Sequence, residues 1–141
     1  MNDSYPLERF STAQDPVYAQ VIAELAAGQK RGHWMWYIFP QIRGLGSSPM
    51  AEKFAIASRD EARAYAEHSI LGARLRQCTE LAINAQGRCV EQIFGFPDNL
   101  KFRSSMTLFM ATAAEPGLFG EAIAKYFDGK PDQRTLDLLE V

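Results

Sequence analysis

Five polar residues have types and settings suited to chemistry: His33, Arg43, Lys101, Arg103 and Ser104. His33 carries the side chain best matched to proton transfer near neutral pH. A general acid or base also needs a nucleophile or carboxylate within hydrogen-bond reach, and no spacing in the chain supplies one. Catalysis by His33, as in a hydrolase, is therefore a weaker functional expectation. A histidine in an aromatic segment more often serves as a hydrogen-bonded structural residue.

Arg43 opens the run Arg43-Gly-Leu-Gly-Ser-Ser-Pro, in which Ser48 reads as a helix cap and Pro49 as the first helical residue. A helix start presents free N–H groups and partial positive charge, and Arg43 would add a bidentate contact to a phosphate or carboxylate. The plainer alternative is an ordinary capped loop. The run Lys101-Phe-Arg-Ser-Ser places Lys101 and Arg103 in the first turns of a helix, where cations oppose the helix dipole. A bound anion would offset that cost, and so would a salt bridge to Asp98.

These residues flank the most aromatic window of the chain, Arg31–Gly46, which holds Trp34, Trp36, Tyr37 and Phe39. Core packing is the leading expectation, because large aromatic side chains dominate core energetics. The sharper alternative is a stacking platform for a base or another ring. Each buried tryptophan N–H requires an acceptor, so a polar wall is expected nearby.

The 141 residues carry 15 Lys and Arg, 17 Asp and Glu, and a net charge of -2, which disfavours a bulk electrostatic grip on nucleic acid. A local contact through Lys30, Arg31 and Arg43 is the remaining nucleic-acid route. The two histidines, His33 and His68, exclude a multi-histidine metal site. No dinucleotide fingerprint, Walker loop or serine nucleophile elbow is present, so no cofactor is expected. Cys78 and Cys89 have no metal-type spacing; Cys78 lies on an apolar stripe and reads as inert. The start lacks a signal-peptide pattern, and no apolar run approaches the ~20 residues of a membrane helix. A cytoplasmic chain with no membrane association is expected.

The elements that must position these residues read as helices. Asp15-Pro16 suggests a cap before Val17, Tyr18, Val21, Ile22 and Leu25, with Gly28 as the stop. Trp34–Phe39 reads as a short helix or turn closed by Pro40. Met50, Phe54 and Ala57 follow Pro49 on one face, and Ser58-Arg-Asp-Glu matches a capping box for Ala62, Tyr65 and Ala66. Ser69 opens a longer helix with Leu71, Leu75, Cys78, Ala82 and Ala85, and Arg76 and Glu80 suit an i,i+4 pair on it. Gly87 ends it and Val90–Phe94 is a short turn. Pro97-Asp98 begins a helix over 98–114, apolar on almost every side beyond Met106, as a central helix would be. Leu118, Phe119, Ile123, Tyr126 and Phe127 form another, and Asp132 caps a last one carrying Leu136 and Leu139. The expectation is one all-α domain, 1–141, of six to eight irregularly packed helices.

The segments Gly28-Gln-Lys-Arg-Gly-His-Trp-Met-Trp-Tyr-Ile-Phe-Pro-Gln-Ile, Gly44-Leu-Gly-Ser-Ser-Pro, Glu61-Ala-Arg-Ala-Tyr, Leu71-Gly-Ala-Arg-Leu and Ile93-Phe-Gly-Phe-Pro-Asp-Asn-Leu-Lys-Phe-Arg-Ser-Ser-Met-Thr-Leu-Phe resemble the domain-of-unknown-function family 1810. The resemblance covers nearly the whole chain. It implies a small, mostly helical protein of bacterial type and no established reaction, so it assigns no catalytic residue. Some members carry the label calpastatin; that inhibitor is disordered and repetitive, and this chain is neither. Phe96 and Phe102 depart from the family pattern, where a small or polar residue and an aliphatic one are usual.

The leading functional expectation is a domain that binds a small anionic, nucleotide-like metabolite. His33, Trp34, Trp36 and Arg43 would meet Lys101, Arg103 and Ser104 at one pocket. The rival is a protein interaction module, which predicts an exposed apolar patch instead.

Overall fold

A computed structural model describes residues 5–140 as ten helices around one core, with no strand among the described residues beyond a single parallel bridge between Ile42 and Ile56. The elements are α1 (Glu8–Gln14), α2 (Tyr18–Ala26), α3 (Met35–Ile38), α4 (Pro49–Lys53), α5 (Arg59–Glu67), α6 (Leu71–Ile83), α7 (Val90–Phe94), α8 (Asp98–Thr112), α9 (Gly117–Phe127) and α10 (Gln133–Leu139). Three of them, α3, α4 and α7, are single turns of four or five residues. The all-α class holds, and the higher helix number comes from these turns.

α8 is the hub that its apolar pattern suggests. It packs on α5, α7, α9 and α10, while α6 packs on α2, α3, α5 and α9. Phe102 lies 5.0 Å from Phe39, 4.6 Å from Phe94 and 6.3 Å from Phe127, ring centre to ring centre. An aliphatic residue there would lose these edge and stacked contacts, each worth about 0.5–1.5 kcal/mol beyond burial.

Several helix starts differ from the sequence expectation. Asp15 does not cap α2: the helix begins at Tyr18 after Val17, and the Asp15 carboxylate pairs with Arg74 at 2.8 Å. Ser58 caps α5 by accepting the Glu61 N–H at 3.1 Å. The capping box is shifted, because the Glu61 carboxylate reaches the N–H of Ala57 at 2.7 Å rather than that of Ser58. Ser69 does not open α6; the His68 Nδ1 accepts the N–H groups of Ile70 and Leu71, both at 3.1 Å. Arg76 donates to the Glu115 carbonyl at 3.0 Å and stands over the Phe119 ring, so its partner is the α8–α9 connection and not Glu80. α6 ends at Ile83, four residues short of Gly87. The predicted cap Ser48, accepting from the Ala51 N–H at 3.1 Å, and the stop Gly28, at φ +74°, are both present.

Candidate functional site

The aromatic segment is built from Glu24, which lies on the inner face of α2 and is only 8% exposed. Its Oε1 accepts the N–H groups of Arg31 at 2.8 Å and Gly32 at 3.0 Å and the Trp34 indole Nε1–H at 2.8 Å. Its Oε2 accepts the Gln20 amide at 2.7 Å. Burial alone would raise the carboxyl, but these donors, led by the Arg31 and Gly32 N–H groups, bring it down to about 2. Glu24 is thus the acceptor that a buried tryptophan requires, and Trp34 is core, packed near Phe39. The loop it holds turns Arg31 and His33 out to solvent.

Trp36 differs from Trp34, being only half-buried. The Lys101 Nζ stands 5.5 Å from the centre of its ring and 3.6 Å from an Asp98 oxygen. The other Asp98 oxygen takes Lys30 Nζ at 2.8 Å, and Lys30 in turn lies over Trp34 at 5.1 Å. One carboxylate therefore joins two lysines, each facing a tryptophan. Asp98 offsets the unfavourable cation at the start of α8, as the sequence allows.

Arg43 also stands beside Trp36. Both line a cavity of about 20 Å³ with Gly44, Gly46 and Phe54, room for roughly one water. On the other side Arg43 faces an open groove of about 390 Å³, shared with Ser58, Arg59, Asp60, Leu138 and Leu139. The Arg43 backbone is fixed by its N–H to the Ile56 carbonyl at 2.8 Å, within the Ile42–Ile56 bridge. Its guanidinium is exposed and has no hydrogen bond or ion pair among the described residues.

Arg103 and Ser104 face elsewhere. Arg103 donates to the carbonyls of Lys130 at 2.9 Å and Pro131 at 3.3 Å and covers the Phe127 ring. Ser104 Oγ donates to Asp132 at 2.9 Å. The seven expected site residues are thus divided. Trp36 has Lys101 over its ring and shares a small cavity with Arg43. Trp34 is core, His33 is exposed at a loop, and Arg103 and Ser104 hold the chain before α10.

Several organising polar residues carry no legible signal in the sequence. Arg9 pairs with Glu61 at 3.1 Å and donates to the carbonyls of Lys53 and Ala55. Gln14 donates from a buried position to the Tyr37 carbonyl at 2.7 Å and the Tyr65 hydroxyl at 3.0 Å. Glu24 and Gln14 look like outward positions of amphipathic helices and Glu61 like half of a local cap, so the bonds of Glu24 and Gln14 and the pairing of Glu61 with Arg9 are seen only in the structure. Burial pushes the Cys78 thiol up to about 12, against smaller lowering effects of Tyr18 and Arg74, which leaves it unreactive. Among the described residues, no group of three or more His, Cys, Asp or Glu side chains is placed to hold a metal ion. No helix of the described residues is long and apolar enough to cross a membrane.

The fold and this arrangement define a small all-α domain organised on one aromatic segment. The chain belongs to the family described as protein of unknown function (DUF1810), whose pattern matches residues 4–139. It is similar to the conserved hypothetical protein Rv1873 from Mycobacterium tuberculosis, known from a crystal structure. The two are 53% identical over 99% of each chain and superpose with a TM-score of 0.97. No curated protein matches the chain.

Proposed function

We propose that the chain binds a small anionic metabolite at the Arg43 groove. The observation that carries this reading is the Arg43 guanidinium, exposed and without an internal partner among the described residues, at a groove of about 390 Å³. That volume lies within the roughly 300–1,000 Å³ of small-molecule sites. A phosphate or carboxylate would take the bidentate face of Arg43. Trp36, half-buried, with Lys101 over its ring, lines the small cavity beside Arg43 and offers an aromatic surface for a nucleotide-like ligand. Two cysteines that are not bonded to each other support a reducing, cytoplasmic setting.

A thermal-shift panel of inorganic phosphate, nucleotides and sugar phosphates tests the reading. A ligand at about 100 times its Kd should stabilise the protein by ~2.7 kcal/mol, a shift of several degrees. Arg43→Ala should abolish the shift and leave the ligand-free Tm unchanged. A shift that persists in Arg43→Ala removes the groove from consideration.

A second reading, a protein interaction module, is favoured by a separate observation. Phe96 is 78% exposed and Leu100, one turn further on, is 46% exposed. Neighbouring apolar side chains left in water are a mark of contact surfaces.

A further inference from the structure

We infer that α10 is the positioned wall of the Arg43 groove, and that Arg103, Ser104 and Asp132 act on the site through it. This rests on the groove reading above and names the residues that position that site. α10 has seven residues, too few to be stable as an isolated helix. Its start is tied to α8 by a knot of side chains. Asp132 Oδ2 accepts Ser104 Oγ–H at 2.9 Å, Thr135 Oγ1–H at 2.5 Å and the Thr135 N–H at 3.3 Å. The Asp132 N–H donates to Thr107 Oγ1 at 2.8 Å, and Arg103 clamps the two carbonyls just before it. Thr135, at the centre, is fully buried.

The rest of α10 reaches across to the Arg43 loop. Arg134 donates to the Gly44 carbonyl at 3.3 Å. Leu138 lies so close to Gly44 that a Cβ there would stand 3.2 Å from its Cδ2, and Gly44 has φ +109°. Leu138 and Leu139 then face Arg43 across the groove. One side of the site is therefore set by α8 through a helix that the knot keeps folded and aimed. Arg103 and Ser104 are positioning residues, with no contact to the ligand.

Hydrogen exchange on the full chain, paired with titration by inorganic phosphate, tests the inference in wild type, Asp132→Ala, Asp132→Asn and Arg43→Ala. In Asp132→Ala, exchange should rise roughly five- to tenfold over 133–139 and together with it over 42–46, with α2 and α6 unchanged. Phosphate affinity should fall in the same variant, and Asp132→Asn, which keeps an acceptor at the cap, should restore both. Arg43→Ala should lose phosphate with no change in exchange. Faster exchange over 133–139 with none over 42–46 overturns the coupling. Coupled exchange in a protein that never binds phosphate upholds the wall and removes the anion reading.

Discussion

Glu24 shows how much one carboxylate can organise. Its four donors come from α2, from the following loop and from the Trp34 ring, so its removal would strand three buried or half-buried N–H groups at once. Glu24→Ala should destabilise the fold by about 3 kcal/mol or more, measured by urea unfolding at pH 7. The pH dependence follows from its lowered carboxyl. A group near 2 when folded and at its ordinary 4.5 when unfolded stabilises fully above 4.5 and loses that contribution as pH falls towards 2. The wild-type stability curve should therefore drop across that interval, by roughly 3 kcal/mol from this group alone. Glu24→Gln should flatten the acid limb. An unchanged limb in that variant would assign the acid sensitivity to another residue. The sequence leaves Trp34 open between core and pocket wall and conceals its acceptor, because a glutamate ten residues earlier in a helix reads as solvent-facing.

Among the elements, the α5–α6 corner is the most tightly constrained. A Cβ on Gly72 would lie 2.1 Å from the Ala66 carbonyl oxygen, a backbone atom that cannot swing aside. The imidazole of His68 caps the helix that follows. Gly72→Ala should cost about 2–3 kcal/mol or more by forcing α6 away from α5, read as a lowered Tm. A loss below about 0.5 kcal/mol would mean that the corner yields. The existence of most helices is legible from apolar spacing, but several of their starts are not. Asp15, Ser69 and the Glu61 half of the capping box fit local rules and are overridden, respectively, by distant Arg74, by the adjacent His68 imidazole as acceptor and by the neighbouring Ala57 N–H.

Across the whole molecule, the two sides of the α8 start carry different expectations. The Lys101 side belongs to the Trp36 surface, whereas Phe96 and Leu100 project into solvent. Phe96→Ser should leave stability within about 0.5 kcal/mol, since little area is buried there. The same change should lower binding of a hydrophobic dye and any self-association seen by sedimentation. If it instead lowers Tm by several degrees, Phe96 packs on the molecule and the interaction reading loses its support.

Composition and apolar periodicity were enough, by themselves, to determine an all-α chain with one central helix, expected over 98–114 and found over Asp98–Thr112, whereas the place of Trp34 in the core was decided by the structure. Burial of apolar area is additive and local in pattern, so it can be read one helix at a time. The grouping of polar residues was decided only by tertiary structure. Lys101, Arg103 and Ser104 are neighbours on one helix, yet Lys101 faces Trp36 while Arg103 and Ser104 tie down α10. A hydrogen bond depends on distance and direction between groups far apart in the chain, and neither is written in their spacing.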